Sequence, residues 1–183
     1  MSGSIWVAEV LRFWLEETPP QKRFQKDEEF DAGLRARFCG THAHVVNLAL
    51  TVCLSDADTA LAAVIVLDQF SRNMFRGTPA AFASDRRALD IAEAAIAKGF
   101  DALVPETARL FFYLPFEHAE DAAAQARAVA LMAGLGDSEL VKWAKAHQAI
   151  IDRFGRFPHR NAVLGRASTA EELEFLREPG SFF

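Results

Sequence analysis

Polar side chains gather at the end of an otherwise apolar helix, in the segment LDQFSRNMFRG at residues 67–77. The stretch just before it, ALAAVIVL at residues 60–67, is apolar on every side, which is typical of a buried helix. At about 100° per residue, five polar side chains then fall in one sector while the opposite side stays apolar. Carboxylates and guanidiniums at i,i+4 spacing can pair and leave a second guanidinium to bind an anion. The five residues are Asp68, Gln69, Arg72, Asn73 and Arg76.

This polar sector has two interpretations, and the sequence leaves both open. One is a buried network of salt bridges that holds neighbouring helices together, because buried charge is tolerated when it is paired. The other is the polar wall of a cavity that opens to solvent. In the second case the same side chains would bind a ligand.

A second group of reactive side chains occurs in FFYLPFEHAED at residues 111–121. His118 and Asp121 are spaced i,i+3 and Glu117 is adjacent, so an imidazole could share a proton with a carboxylate here. The same residues could supply metal ligands, but no His-Glu-x-x-His motif or cysteine cluster accompanies them. We therefore predict no metal site, and we favour a neutral histidine that bonds a carboxylate as a helix-end anchor.

Basic residues concentrate in the segment 147–166, where four arginines accompany one aspartate in an acidic protein. We expect residues 156–166 to form an ordered loop that is anchored by Phe157 and presents its cations. A solvated basic surface is the alternative. His147 lies in an apolar helical stripe, and we predict a buried core residue. The candidate anion-binding residues of the loop are Arg156, His159, Arg160 and Asn161.

The elements that must position these groups are all predicted to be helices. Apolar residues recur with helical spacing, and no stretch shows sustained period-2 alternation. The candidate N-caps are Asp27, Ser55 or Asp56, Asp137 or Ser138, and Ser168 or Thr169, the last pair with Glu171 and Glu172 in a capping box. We predict an all-α protein with about eight antiparallel helices in a single domain, residues 1–183.

Composition excludes several functional classes. The net charge of −5 argues against general nucleic-acid binding, which requires a basic surface to neutralise phosphates. No apolar run reaches the ~18 residues of a membrane span, and the amino-terminal stretch has Glu9 and Arg12 inside an amphipathic pattern that is not typical of a leader. The two cysteines fit reduced thiols, so we expect a cytoplasmic protein. No phosphate-binding loop is present, and we predict no cofactor.

Long strings in all three segments are similar to one known family. LDQFSRNMFRGTPAAFASD, FFYLPFEHAED and HQAIIDRFGRFPHRNAVLGRAST resemble the bacterial family called Domain of Unknown Function 924, as do VLRFWLEE, KDEEFDAGLRARF and FLREPGSFF. The resemblance implies an α-α superhelix similar to tetratricopeptide-repeat proteins, and it implies no activity. Ser71 stands where the family usually has proline, Ala119 where it has serine, and Arg23 where it has tryptophan. Residues 41–60 diverge.

Three functional hypotheses follow. The first is a binding protein in which the 68–76 sector, the 117–121 turn and the 156–161 loop form one pocket for an anionic small molecule or acidic peptide. The second is an enzyme that uses His118 or His159 as acid or base, with Glu117 or Asp121 as its partner. The third is a structural protein in which these motifs are interhelical clamps.

Overall fold

The computed structural model describes residues 5–181, and every regular element in that range is a helix. The all-α prediction is therefore confirmed for the described residues. The superhelical arrangement and the predicted number of helices stay predictions. Eleven α-helical segments follow one another: α1 Ile5–Leu11, α2 Pro20–Arg23, α3 Glu28–Val46, α4 Leu50–Cys53, α5 Ala57–Val64, α6 Ser71–Met74, α7 Asp85–Ala97, α8 Glu106–Glu117, α9 Ala122–Ala133, α10 Ser138–Phe154 and α11 Ala170–Phe175.

Carboxylate and hydroxyl caps begin most of the long helices where the sequence predicts them. Asp27 accepts a hydrogen bond from the backbone of Phe30, and Asp56 accepts one from that of Thr59. Thr169 completes the capping box with Glu172 at the start of α11. These side chains satisfy backbone donors that the first turn of a helix leaves open. Helix α3 continues through Gly40 to Val46 without ending or restarting.

The chain divides into two compact units. Unit 1 comprises residues 1–76 and 80–115, and unit 2 comprises residues 77–79 and 116–183. The assignment of residues 1–183 to a single domain stays a prediction. Within residues 5–181 no helix combines the length and apolar character that crossing a bilayer requires.

Unit 1 is built around an aromatic core and two π-helical segments. α1 continues into the π-helix Arg12–Glu17, and α5 continues through the π-helix Ile65–Phe70 into α6. Trp14 of the first segment packs against Phe70 of the second, with ring centroids 5.4 Å apart. Phe38 of α3 lies 4.8 Å from Phe70. π-helical turns are rare and often accompany functional sites. The polar residues that follow Ile65 in the second segment are therefore candidates for a functional role.

Unit 2 contains α9, α10 and the loop that follows. Helix α10 packs along α9 and ends at Gly155, whose φ of 70° is the left-handed conformation that favours glycine. The loop then turns back, so that Phe157 joins Ile150 and Ile151 in a small apolar core. The described part of the carboxyl-terminal region ends with α11 and the turn that follows it.

Candidate functional site

The polar sector of residues 68–76 is a network of charged groups inside unit 1. Asp68 is 1% exposed, and its Oδ1 lies 3.0 Å from Nη1 of Arg72. Arg72 also donates two hydrogen bonds to Asp85 at the start of α7, at 2.9 and 3.0 Å. Gln69 donates to Asp68 at 2.7 Å. The π-helical turn carries Asp68 and Gln69, both buried, in a helix that is otherwise apolar.

The other two residues of this sector bind a carboxylate of α3. Asp31 is 6% exposed and accepts hydrogen bonds from Asn73 at 2.8 Å and from Nε of Arg76 at 2.6 Å. The guanidiniums of Arg72 and Arg76 therefore both contact carboxylates of unit 1. This arrangement is the one that the clamp interpretation predicts, since a paired buried charge avoids the large cost of an isolated one. Ligand binding by the five residues stays a prediction.

Unit 2 contains a clamp of the same kind. Glu172 is 2% exposed and accepts two hydrogen bonds from Arg156, at 2.7 and 2.9 Å. The side-chain amide of Asn161 lies 3.3 Å from the same carboxylate, and the backbone of Thr169 donates to it at 2.7 Å. The Arg156 guanidinium is the largest cause that lowers the pKa of Glu172 to about 2. In each unit, a buried carboxylate in the first turn of a helix thus accepts hydrogen bonds from one arginine and one asparagine.

A further carboxylate fixes the beginning of the 156–166 loop. Glu120 accepts from both terminal nitrogens of Arg166, at 2.6 and 2.9 Å, and from the backbone of Phe157 at 2.8 Å. Arg166 also donates to the side-chain oxygen of Asn161 at 3.0 Å. These bonds anchor the loop at Phe157 and Arg166, as the expected ordered loop would require.

Imidazoles and a guanidinium surround the ring of Phe157. The centroid of His159 lies 5.6 Å from that of Phe157, and His147 lies 5.7 Å away on α10. The Arg160 guanidinium carbon is 4.5 Å from the same ring centre. His118 lies 6.3 Å from His147. Three of the five histidines in the chain therefore meet a buried arginine inside unit 2. We call His118, His147, His159 and Arg160 the imidazole cluster.

Glu117 gives one member of the imidazole cluster a defined protonation state. Nδ1 of His147 lies 2.9 Å from the carbonyl oxygen of Trp143 and 3.2 Å from Oε1 of Glu117. Both neighbours are acceptors, so Nδ1 carries the proton and Nε2 carries the lone pair. Burial is the largest cause that lowers the pKa of His147 to about 3; the nearby charges of His118, Arg160 and His159 act in the same direction, and the hydrogen bond to Trp143 opposes them. His147 is thus a neutral imidazole at physiological pH.

The predicted residues of unit 2 separate into three places. His118, Glu117, His159 and Arg160 belong to the imidazole cluster or contact it. Arg156 and Asn161 bind Glu172. Asp121 is the N-cap of α9, where it accepts from the backbone of Ala124 at 2.7 Å. That these residues and residues 68–76 form one shared pocket stays a prediction.

Sequence reasoning missed three contributors. It placed His147 in the core, which its 7% exposure confirms, but not beside Glu117. It gave no role to Glu120 or to Gln125. Gln125 and Arg127 are the two polar residues in α9, whose other residues are apolar, and a lone amide in that context was the available signal. Within residues 5–181, no three histidine, cysteine, aspartate or glutamate side chains are grouped as a metal ion would require.

Comparisons with known proteins identify the family to which the chain belongs. The chain is similar to a protein of unknown function from Agrobacterium tumefaciens whose structure is solved, with 43% identity, a TM-score of 0.88, and coverage of 93% of this chain and 96% of that one. The family of bacterial proteins of unknown function called Domain of Unknown Function 924 matches residues 10–180. The chain belongs to this family. A comparison with curated proteins gave no match.

Proposed function

We propose that this protein binds a small anionic molecule, a carboxylate or phosphate, at the imidazole cluster of unit 2. One observation carries the proposal: the buried guanidinium of Arg160 and the imidazole of His159 both lie against the ring of Phe157, and His118 lies in the same cluster beside His147. Imidazole N–H groups and a planar guanidinium are the donors that proteins commonly use for oxyanions. The ordered loop supports the proposal, because a fixed donor loses less entropy on binding than a mobile one.

Burial at the cluster favours a small molecule over an acidic peptide. Arg160 is 6% exposed and His147 is 7% exposed, while His118 and His159 are partly buried. A peptide backbone would require a wider opening than these values suggest. Binding of an acidic peptide with higher affinity than a free anion would contradict this part of the proposal.

Acid–base catalysis at the same site is the second candidate. The contact of Glu117 with His147 favours it, since a carboxylate that orients an imidazole is the usual partner of a general base. Among the two carboxylates considered from the sequence, Glu117 fits this role better than Asp121, which is engaged in capping α9. Turnover that depends on an imidazole while ligand binding survives its replacement would support this candidate.

The test is calorimetric titration of the whole chain with inorganic phosphate and with citrate. Replacing His159→Gln and, separately, Arg160→Gln is expected to weaken binding at least tenfold. Arg153→Gln is the matched control, because Arg153 also lies in unit 2 but pairs with Glu171 at the surface, where its side chain is 46% exposed. The control is expected to bind as the wild type does.

Thermal unfolding provides the complementary readout, since a ligand of the native state raises the melting temperature. Phosphate is expected to stabilise the wild type and Arg153→Gln but not His159→Gln. Equal stabilisation of all three proteins, or no binding of either anion by the wild type, would overturn the proposal.

A further inference from the structure

Two side chains satisfy the backbone at the end of α8. Nε2 of Gln125 donates to the carbonyl oxygens of Glu117 and Ala119, at 2.6 and 2.8 Å. Nη2 of Arg160 donates to the carbonyl oxygen between them, that of His118, at 3.1 Å. The side-chain amide and the guanidinium are thus bound to three successive carbonyls. They lie side by side at the edge of the imidazole cluster.

The two contacts of Gln125 fix which way its amide faces. Both partners are acceptors, so the nitrogen must face them and Oε1 must point elsewhere. The residue is fully buried, and Oε1 has no hydrogen-bond partner among the residues that the structure describes. Because the amide oxygen lies about 2.2 Å from the amide nitrogen, Oε1 is within about 5 Å of the Glu117 carbonyl oxygen.

A buried acceptor without a donor is costly, and native proteins rarely leave one in that state. In the cluster, Arg160 is cationic and the imidazoles of His118 and His159 can donate. Gln125 offers an acceptor, as does Nε2 of His147, and Glu117 offers a carboxylate. An anion alone would bind the cationic and hydrogen-bond-donating groups and would leave the acceptors without a donor. A ligand that has both an anionic group and a hydrogen-bond donor would satisfy the donors of the cluster and the acceptor of Gln125.

We infer that the ligand of the proposed anion site is a small carboxylate with a hydroxyl or ammonium group on the neighbouring carbon. This inference rests on the proposed function. The carboxylate of the ligand binds the donors of the imidazole cluster, among them Arg160. Its hydroxyl or ammonium group donates to Oε1 of Gln125. Such a site discriminates strongly against the analogue that lacks the donor, because binding that analogue leaves the buried oxygen unsatisfied.

Three matched probes test the inference on the wild-type chain by calorimetry: lactate, alanine and propionate. We expect lactate, alanine or both to bind at least tenfold more tightly than propionate. Preference for lactate identifies a hydroxyl as the donor, and preference for alanine identifies an ammonium. Equal affinity for all three overturns the inference and indicates that a bound water occupies the position beside Gln125.

A variant assigns the preference to Gln125. Gln125→Met keeps the length of the side chain and removes the oxygen, so it is expected to lose the preference over propionate while still binding phosphate. Gln21→Met, at an exposed position of α2 in unit 1, is the matched control and is expected to keep it. Preference retained in Gln125→Met would overturn the assignment.

Failure of the two proposals gives different results. If phosphate and propionate bind as tightly as lactate and alanine, the anion site stands and the inference about its ligand falls. If none of the four probes binds, the anion site itself falls. The wild-type comparison remains decisive if loss of the two amide hydrogen bonds prevents Gln125→Met from folding.

Discussion

The carboxylate of Glu117 lies 3.2 Å from Nδ1 of His147, and the carbonyl oxygen of Trp143 lies 2.9 Å from the same nitrogen. The contact determines which imidazole nitrogen carries the proton. It also leaves Nε2 as the basic atom of a buried, neutral ring.

This contact predicts an imidazole that does not titrate in the physiological range. Burial lowers the pKa of His147 to about 3, so its ring should stay neutral, with the proton on Nδ1, from pH 8 down to about pH 4. Nitrogen-15 chemical shifts of the imidazole in a pH titration measure both properties. A midpoint near the ordinary value of 6.5 would contradict the prediction.

The clamp at Glu172 predicts a dependence of stability on acid pH. Because its folded pKa of about 2 lies below the ordinary value of 4.5, ionised Glu172 stabilises the fold fully above about pH 4.5, and this stabilisation is lost as the pH falls towards 2. Glu172→Gln should cost about 2 kcal/mol at pH 7, since it removes the charge of a buried carboxylate that accepts two hydrogen bonds from Arg156. The unfolding free energy of Glu172→Gln should also fall less than that of the wild type between pH 4.5 and pH 2.

Denaturant unfolding at several pH values measures both effects. Glu171→Gln is the control, because that carboxylate is 61% exposed and its surface pair with Arg153 contributes little. An equal change of unfolding free energy in the two variants would show that Glu172 is not a clamp.

The clamp at Asp31 predicts a large loss of stability when its charge is removed. Asp31→Asn removes the charge that pairs with Arg76 and one of the two oxygens that accept from Arg76 and Asn73, so we expect a cost of about 2 kcal/mol. Asp90→Asn removes a carboxylate from an i,i+4 pair with Arg86 at the surface and should cost less than about 0.5 kcal/mol. Thermal and denaturant unfolding compare the two variants. Similar losses would mean that Asp31 contributes no more than a surface charge.

The hydroxyl of Ser71 predicts a smaller effect on stability in unit 1. Its hydroxyl lies 2.9 Å from Nε2 of His42 and 3.0 Å from the hydroxyl of Ser84, and the residue is fully buried. Ser71→Ala should therefore cost about 1 kcal/mol, the usual net value of a buried hydrogen bond. Ser55→Ala, at an exposed hydroxyl, is the matched control. Unchanged unfolding free energy in Ser71→Ala would show that this network does not stabilise the fold.

The sequence by itself determined the helical class and most helix starts, and it singled out many of the polar residues that make buried contacts in the structure. These properties depend on local physics: the spacing of apolar residues, and the match of Asp27, Asp56, Asp137 and Thr169 to open backbone donors. The three chemistry-bearing segments were visible for a similar reason, because charged and polar side chains interrupt otherwise apolar helices.

Only the tertiary structure decided which of these residues bind one another. Arg76 pairs with Asp31, 45 positions away, and Arg166 pairs with Glu120, 46 positions away. The i,i+4 spacing found the contact of Arg72 with Asp68 but not its two bonds to Asp85. Periodicity ranks the faces of one helix and contains no information on which face of another helix will meet it. Long-range partners such as Glu117 with His147 therefore require the packed chain.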